Sequence, residues 1–387
     1  MKIGIPKETW EGETRVALIP ALVGMLKKKQ HEILVETGAG VAASFSDEQY
    51  QSAGATIVRD AAELYRASDI IFKVQPPQKH AASGKHEVEL MRSGAAFIGF
   101  LDPSNQRETI SLLAKQGITS FAMEYIPRIT RAQSMDALSS MATVAGYKAV
   151  LIAAQQLGKF FPLLMTAAGT IPPATVLILG AGVAGLQAIA TAKRLGAKVE
   201  AFDPRLAVKE QVMSLGAQFV EMEMPKDAET AGGYAKEQSE EFLRKEREAI
   251  AARLPKVDVV ITTAQVFGKR SPLLITTEMV QMMRAGSVIV DLAAAQGGNC
   301  ELTQPNKMIE KHGVTIYGAV NLVATVPVHA SQMYAKNVTN LFLHLYQAAD
   351  SKLNFQDEIT KGACLTHDGE IVNSMVKQAM QTEGSKP

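Results

Sequence analysis

The chain has 387 residues, 40 of them basic and 39 acidic, for a formal net charge of +1. This length suffices for two domains that each bury a sizeable core. A near-neutral charge without a polybasic tract argues against a nucleic-acid or anionic-membrane surface, so small molecules or protein partners are expected. The two cysteines, Cys300 and Cys364, lack the spacing of a disulfide framework, redox motif or zinc site, which predicts two buried hydrophobic side chains and no metal.

The N-terminal sequence MKIGIPKETW carries charges and a proline where a signal peptide would need an apolar core, so we expect a cytoplasmic protein. The stretch 160–192 is uncharged and long enough for a membrane span. Glycines and prolines divide it, however, and unpaired backbone at such breaks would be costly in lipid. We interpret it as a loop, a buried strand and the start of a helix.

The first 125 residues alternate short β-rich runs with amphipathic runs, which is typical of a parallel sheet covered by helices. Ser46 and Gln49 suit a capping box, and Gly54 and Gly117 stand just beyond helical patterns. No glycine-rich phosphate loop follows any of these strands, so this half is not expected to be the main nucleotide binder. The predicted strands are KIGIP, EILVE, TIVR, IIFKV, AAFIGF and TSFAME.

A second series of six strands follows, enough for a complete doubly wound domain. Helical spacing marks 134–161 between the halves and 329–349, which returns the chain to the first half. We predict an α/β fold of two doubly wound parallel-sheet, Rossmann-like domains joined by two long crossing helices, with a cleft between them. The predicted domains are 1–137 with 328–387, and 138–327 with its linking helix. The second series of strands is TVLILG, KVEAFD, FVEME, VDVVITT, SVIVDLA and VTIYG.

The segment TVLILGAGVAGLQAIATAKRLGAKVEAFD carries the most informative pattern. An apolar strand meets Gly180, Gly182 and Gly185 in the spacing Gly-x-Gly-x-x-Gly, a helix follows, and the next strand ends at Asp203. Such glycines allow a tight turn, close approach of the backbone to a pyrophosphate, and packing of helix on strand. With strand, helix and acidic residue in register, the pattern favours dinucleotide binding over a glycine-rich turn needed only for packing.

Asp203 stands where a carboxylate can accept hydrogen bonds from both ribose hydroxyls and would repel a 2′-phosphate, which favours NAD(H) over NADP(H). Arg205 leaves the alternative open, because a nearby arginine can accommodate that phosphate. Residues 262–265 end the fourth strand near the expected nicotinamide half, although a plain strand-to-loop junction would look the same. The long third connection contains Gly233 and Tyr234 and is either a lid or a solvated charged loop.

Residues 127–140, PRITRAQSMDALSS, concentrate directional hydrogen-bonding groups with no His, Cys or Lys beside them. With this stretch the motifs identify a family. The chain resembles, over essentially its whole length, the NAD(H)-binding alpha (alpha-1) subunit of the proton-translocating NAD(P) transhydrogenase. Alanine dehydrogenase is similar over the same length and shares Arg15 and the dinucleotide loop. The supporting motifs are MKIGIPKET with Arg15, AMEYIPRITRAQSMDALSS, MTAAGT, GAGVAGLQAIATAKRLGA, ETAGGYAKE, ITTA and DLAAAQGGNC.

Three positions separate the two relatives. An amino-acid dehydrogenase moves a proton as well as a hydride and needs ionisable groups, which in alanine dehydrogenase are Lys, His and Asp. The matching residues here are Gln75, Asp102 and Ala295. Hydride transfer between two nicotinamide rings requires only that both rings be held in contact without water. The transhydrogenase subunit is therefore favoured, with an alanine dehydrogenase-like amino-acid oxidoreductase or an NAD-binding redox sensor as the alternatives.

The resemblance also implies site residues. Arg128, Gln133, Asp136 and Ser139 would hold the carboxamide and neighbouring ribose or phosphate of NAD(H), and they are the predicted catalytic residues. Alternatively, Arg128 and Asp136 only pair with each other or with the following helix, with Ser134 or Asp136 near its start. The predicted cofactor-binding residues are Arg128, Ile129, Thr130, Gln133, Gly180, Gly182, Val183, Gly185, Asp203, Pro204, Arg205, Gly233, Tyr234, Ala264 and Gln265.

Two positions depart from the family pattern, because a compared member has Gln at the position of Glu246 and Leu at that of Gln265. The resemblance implies a Re/Si-specific transhydrogenase in which NADH bound here reduces NADP⁺ on a beta subunit, coupled to proton translocation. NADP(H) is then a co-substrate on the partner. A membrane-spanning alpha-2 subunit, a homodimer and a peripheral position on the inner face of the bacterial plasma membrane are also implied, with residues 230–240 and Met224 at the docking edge.

Overall fold

The structure is a computed structural model with two compact units. Unit 1 comprises Met1–Met141 and Ala324–Pro387, and unit 2 comprises Ala142–Val323. The chain passes between the units within one long helix and again just before another. The residues that the structure describes are 1–81, 83–222, 240–266, 269–347 and 352–382.

Strands and helices alternate along most of both units. The strands are β1 (Lys2–Ile5), β2 (Glu32–Glu36), β3 (Thr56–Val58), β4 (Ile70–Phe72), β5 (Ala96–Gly99), β6 (Thr119–Ala122), β7 (Leu164–Thr166), β8 (Gly169–Ile171), β9 (Thr175–Leu179), β10 (Lys198–Phe202), β11 (Gln218–Phe219), β12 (Val259–Thr262), β13 (Val288–Asp291), β14 (Met308–Lys311), β15 (Val314–Gly318), β16 (Cys364–His367) and β17 (Glu370–Ile371). The helices are α1 (Pro20–Lys28), α2 (Asp47–Ser52), α3 (Ala61–Ala67), α4 (Glu87–Leu90), α5 (Arg107–Lys115), α6 (Ala137–Gln156), α7 (Val183–Arg194), α8 (Lys209–Ser214), α9 (Glu240–Ala251), α10 (Thr277–Gln281), α11 (Pro327–Leu345), α12 (Glu358–Ala363) and α13 (Ser374–Thr382).

Unit 1 has an eight-stranded sheet in the order β17-β16-β6-β5-β4-β1-β2-β3. The strands β1 to β6 are parallel, and the two edge strands β16 and β17 are antiparallel. Every residue of β4 and β5 is buried, as expected for a sheet covered on both faces. The predicted Ser46–Gln49 capping box is present, and Gly54 and Gly117 adopt positive φ angles after α2 and α5.

Unit 2 has a seven-stranded sheet in the order β11-β10-β9-β12-β13-β15-β14, parallel except for β14. The six parallel strands follow the doubly wound 3-2-1-4-5-6 order, as β1 to β6 do in unit 1. Chain order reverses between β9 and β12, and ligands of such sheets bind beyond the carboxyl ends of the strands at that point. The predicted class, two Rossmann-like α/β domains, is confirmed.

The short antiparallel elements escaped prediction. The edge strands β14, β16 and β17 and the hairpin of β7 and β8 are short, and the polar and charged residues in them mask an apolar run. The predicted strand FVEME is reduced to the two residues of β11. Both cysteines are buried and unpaired with each other, as expected.

The helix α6 is, within the described part of the chain, the helix long and apolar enough for a membrane span by length and composition. Ala149, Val150 and Ala153 on this helix belong to the hydrophobic core of unit 2, which is the environment of a core helix. The uncharged stretch 160–192 forms β7, β8, β9 and the first turns of α7. Its interpretation as loop, buried strand and helix start is confirmed, with a hairpin in addition.

Gly146 on α6 allows this helix to lie directly against the first turn of α7. A Cβ atom at Gly146 would lie 2.1 Å from the carbonyl oxygen of Ala184. We predict that Gly146→Ala lowers the free energy of unfolding by about 1–3 kcal/mol through overpacking. Gly24→Ala on α1 is the matched control, because nothing lies within 4 Å of the added methyl group. It should stabilise the protein by about 0.5–1 kcal/mol, as measured by urea denaturation; equal effects of the two variants would contradict the packing argument.

Candidate functional site

The loop 180–185 joins β9 to α7 and has the geometry of a phosphate-binding turn. A Cβ atom at Gly185 would lie 1.9 Å from the carbonyl oxygen of Gly180, so only glycine permits this packing of helix on strand. At Gly182 the nearest atom to an added Cβ is Nη2 of Arg205, at 3.9 Å, which leaves the backbone approachable. The first turn of α7 contains no acidic residue, so its N–H groups can receive an anion.

Asp203 directly follows β10, as predicted, and is 2% exposed. Its Oδ2 atom accepts a hydrogen bond from the Ala181 N–H at 2.7 Å, which ties the carboxylate to the glycine loop. The Arg205 guanidinium binds it in a bidentate manner, with Nε to Oδ1 and Nη2 to Oδ2 both at 2.8 Å. Pro204 lies between them, half-buried. Arg205 is thus engaged by the residue that would otherwise repel a 2′-phosphate.

Glu246 lies on the inward stripe of α9, together with Phe242 and Ile250. This carboxyl group is 4% exposed. Burial, and next the negative charge of Asp203, raise the pKa of Glu246 to about 7, against the smaller opposing effect of Arg247. A second carboxyl group therefore faces the predicted ribose-binding end of β10 and is largely protonated at neutral pH. Its position was noted from sequence only as a departure from a family pattern.

The segment 262–265 follows β12 beside the glycine loop. The hydroxyl of Thr263 donates to the carbonyl oxygen of Gly180 at 3.0 Å, which joins the two loops. Ala264 is half-buried, whereas Gln265 is exposed and donates from Nε2 to the carbonyl oxygen of Leu292 at 3.0 Å. Val183, at the start of α7, is also exposed. Each of these predicted residues therefore lies at the carboxyl edge of the unit 2 sheet.

In unit 1, residues 127–139 line a cavity of about 420 Å³. This segment follows β6 and includes a 3₁₀ turn, Thr130–Met135, that leads into α6. Arg128 and Gln133 are exposed, while Asp136 and Ser139 are half-buried. The cavity thus brings together all six residues predicted in this stretch. Its lining consists of Pro127, Arg128, Ile129, Thr130, Ala132, Gln133, Asp136 and Ser139.

Asp136 immediately precedes α6. Its Oδ1 atom accepts from the backbone N–H of Ser139 at 2.9 Å, and its Oδ2 atom accepts from the Ser139 hydroxyl at 2.6 Å. The Ser140 hydroxyl donates to the Asp136 carbonyl oxygen at 3.1 Å. These are the contacts of a helix cap, so the alternative role considered for Asp136 is present in the structure. Asp136 consequently fixes the position of Ser139 within the cavity.

Two asparagines that the sequence did not single out fasten the 3₁₀ turn. Asn337 and Asn340 on α11 both donate from Nδ2 to the carbonyl oxygen of Ser134, at 2.9 and 3.0 Å. Arg131 in the same turn pairs with Asp357, which also contacts His344 at 2.9 Å. The spacing of Asn337 and Asn340 on one helical face is a signal that could have indicated a polar contact.

Arg15 lies in unit 1 within a buried ion pair. Its Nη2 atom is 2.6 Å from Oε2 of Glu13, and the two side chains are 3% and 0% exposed. Gln75 donates from Nε2 to Oε2 of Glu13 at 2.7 Å. Burial favours the neutral form of Glu13, but the hydrogen bonds and charge of Arg15 outweigh it and lower the pKa of Glu13 to about 2. The carboxylate that Arg15 binds here is therefore an internal one.

The other two positions that distinguish alanine dehydrogenase supply no paired acid/base group. Asp102 accepts hydrogen bonds from Nδ2 of Asn105 at 3.1 and 2.9 Å, and Ala295 is an exposed residue in a 3₁₀ turn. The predicted residues Gly233 and Tyr234, with Met224 and most of segment 230–240, lie outside the described residues. Among the described residues no cluster of three His, Cys, Asp or Glu could hold a metal.

Comparison with known proteins gives a consistent result over the whole chain. The family models described as the N-terminal and C-terminal domains of alanine dehydrogenase/PNT match residues 4–145 and 149–374. The first portion of the NAD(P) transhydrogenase subunit alpha of Rhodospirillum rubrum, which is a separate chain, is 50% identical over 378 residues, covering 96% of this chain and 98% of the relative.

Alanine dehydrogenase of Bacillus subtilis is 31% identical over 349 residues, covering 88% of this chain and 84% of the relative. The crystal structure of transhydrogenase from Sinorhizobium meliloti has a TM-score of 0.85 and 43% identity, and the match covers 96% of this chain and 100% of that one. Similarity is thus greater to these transhydrogenases than to that alanine dehydrogenase.

A doubly wound parallel sheet with a Gly-x-Gly-x-x-Gly turn and a carboxylate after the next strand defines an NAD(H)-binding type of oxidoreductase. The chain belongs to the alanine dehydrogenase/PNT family. Within that family it is related to the transhydrogenase alpha subunits, so the resemblance seen in its motifs is confirmed.

We predict that Glu246→Gln stabilises the protein only at alkaline pH. The pKa of Glu246 is about 7 in the folded chain against an ordinary value of 4.5. Its protonated form is therefore favoured by folding, and this contribution is full below the unfolded pKa and is lost as pH rises through the folded one. The variant should exceed the wild type by roughly 2–3 kcal/mol at about pH 8.5 and match it near pH 5.

Urea denaturation at both pH values measures this difference. Glu248→Gln is the matched control, since Glu248 lies on the same helix, is 61% exposed and pairs with Arg244. Its effect should stay below about 0.5 kcal/mol at either pH. A Glu246→Gln effect of equal size at both pH values would contradict the raised pKa.

Proposed function

We propose that this chain is the NAD(H)-binding subunit of a proton-translocating NAD(P)⁺ transhydrogenase, which passes a hydride from NADH to NADP⁺ held on a partner subunit. The observation that carries the proposal is the composition of the cavity at 127–139. Its residues offer directional hydrogen bonds, and the one carboxylate in its lining, Asp136, is already bonded to Ser139. Such a site can orient a ring but has little capacity to exchange protons with a substrate.

In this proposal the domain 138–327, with its linking helix, binds the nucleotide. The pyrophosphate lies on the loop 180–185 at the start of α7, and Asp203 accepts hydrogen bonds from the adenosine ribose. Val183, Pro204 and Arg205 border the adenosine half, and Ala264 and Gln265 border the nicotinamide half. Gly233 and Tyr234 complete the proposed contacts.

The domain 1–137 with 328–387 supplies the residues that orient the nicotinamide. Arg128 and Gln133 hold the carboxamide and the neighbouring ribose or phosphate, and Ile129 and Thr130 contribute contacts beside them. Asp136 acts by keeping Ser139 in place at the start of α6. Rate depends steeply on the angle and distance of the two rings, because a near-attack geometry lowers the entropic part of the barrier.

The transfer is proposed to be Re/Si-specific and coupled to proton movement. The two nicotinamide couples have similar potentials, so the driving free energy comes mainly from the gradient, about 2.3 kcal/mol per proton for every 100 mV. NADP(H) binds to a beta subunit and protons cross through membrane-spanning partners, including an alpha-2 subunit. The chain then sits on the inner face of the bacterial plasma membrane through these partners, and washed membranes that lack them should not retain it.

We also propose a homodimer. The hairpin of β7 and β8 supports it, because Leu163, Met165 and Ile171 on or beside these strands are exposed, Met165 by 78%. Large exposed apolar groups gathered on one element are typical of association surfaces. Light scattering that gave the mass of a single chain would exclude the homodimer.

The decisive assay compares two reactions of the purified chain. With NADH and an NADP-binding partner subunit, we expect NADPH formation; with NAD⁺ and alanine, we expect none at an enzymatic rate, because Arg15 is bound by Glu13 and Gln75 occupies the position of a lysine. Alanine oxidation by the chain alone would establish the amino-acid dehydrogenase instead. Tight NADH binding with neither reaction would indicate a sensor.

We predict that Asp203→Asn weakens NADH binding by roughly tenfold and reduces the preference for NADH over NADPH by a similar factor. The substitution removes the negative charge and releases the Arg205 guanidinium, which can then receive a 2′-phosphate. Titration calorimetry with both nucleotides measures the two affinities.

Asp258→Asn is the matched control for this substitution. Asp258 is also a buried, paired carboxylate of unit 2, bonded to Lys159 at 2.6 Å, but it precedes β12 and lies at the opposite end of the strands. It should lower stability without changing nucleotide preference. An unchanged preference in Asp203→Asn would remove Asp203 from the proposed role.

A further inference from the structure

Asp291, the last residue of β13, is a fully buried carboxylate that accepts five hydrogen bonds. Five donors fill the acceptor sites of its two oxygens, so its charge is compensated by dipoles. The loop after β13 therefore folds back over the end of the sheet in one conformation. The donors are the hydroxyls of Thr262 and Thr303, at 2.9 and 2.6 Å, and the backbone N–H groups of Ala293, Asn299 and Cys300, at 2.9, 2.8 and 3.1 Å.

Asn299, which Asp291 holds through its backbone, binds the loop after β12 with its side chain. Its Oδ1 atom accepts from the N–H of Ala264 at 3.1 Å, and its Nδ2 atom donates to the carbonyl oxygen of Ala264 at 2.9 Å. The Nδ2 atom also donates to the carbonyl oxygen of Pro272 at 2.8 Å. One fully buried amide thus fixes both backbone groups of Ala264.

The position of this contact in the sheet gives it a consequence. The end of β12 lies on the far side of the glycine loop from β10, which leads into Asp203. In a sheet of this order the adenosine half of a dinucleotide lies over the β10 side and the nicotinamide half over the β12 and β13 side. The backbone that Asn299 holds is therefore the part of unit 2 nearest the expected nicotinamide.

We propose that Asn299 is a positioning residue that fixes the backbone of Ala264 and Gln265 against the nicotinamide half of bound NAD(H). This inference rests on the proposed function. Asn299 touches neither nucleotide nor reacting atoms in this assignment and acts through Ala264. Its loss therefore affects the ring more than the adenosine, and the hydride-transfer rate more than the affinity.

The test uses Asn299→Ala in the full chain with two ligands, NADH and ADP-ribose, which lacks the nicotinamide. We expect the Kd for NADH to rise roughly three- to tenfold and the Kd for ADP-ribose to stay within about twofold. With the NADP-binding partner, the transfer rate at saturating NADH should fall roughly 10- to 100-fold. Asn299→Ser, a smaller polar replacement with the same expected direction, serves if the alanine variant does not fold.

Thr303→Val is the matched control, because Thr303 also donates to Asp291 but does not bond to Ala264. It should change both affinities and the transfer rate by less than about threefold. Equal loss of NADH and ADP-ribose binding in Asn299→Ala, or an unchanged transfer rate, would overturn the positioning role. Wild-type chain that binds NADH but transfers no hydride to the partner would reject the proposed function, while the comparison of the two ligands would still test Asn299.

Discussion

The contact between Gly185 and the carbonyl group of Gly180 is the constraint on which the site in unit 2 depends. It lets α7 start immediately against β9, with its free N–H groups at the carboxyl edge of the sheet. The same loop is joined to Asp203 through the Ala181 N–H and to Thr263 through the Gly180 carbonyl oxygen. Both sides of the proposed nucleotide site are therefore positioned by one short turn.

Charged groups at the predicted positions are compensated before any ligand arrives. Arg205 binds Asp203, Glu13 binds Arg15, and backbone dipoles and hydroxyls bind Asp291. An unpaired charge in such surroundings would cost several kcal/mol, so pairing is what allows these residues to be buried. A ligand at Asp203 must therefore exchange existing hydrogen bonds for its own, which favours selectivity over raw affinity.

The two units share a strand order and differ in use. Unit 2 has the glycine turn at its switch point, whereas the described residues of unit 1 form no such turn and instead present a cavity after β6, at the start of α6. The cavity owes its shape to caps and clamps: Asp136 fixes Ser139, and two asparagines of α11 hold Ser134. Such rigid support is what a site needs if it is to orient a flat ring without taking part in proton transfer.

From the sequence alone came the two α/β domains, the six parallel strands of each, the two long helices, and the glycine turn with Asp203 in register. These were readable because buried parallel strands are continuous apolar runs and the turn demands glycine at set positions. Short antiparallel edges stayed hidden because a few alternating residues carry little signal.

Tertiary structure alone decided which polar groups meet. The bonds from Asn299 to Ala264, from Asn337 and Asn340 to Ser134, and from Glu13 to Arg15 and Gln75 join residues on different elements, or draw a third element into a local pair. The raised pKa of Glu246 likewise arises from burial and the nearby Asp203 charge, distant in sequence. Local pattern specifies elements, whereas desolvation and hydrogen-bond partners depend on how those elements pack, and no local pattern contains that information.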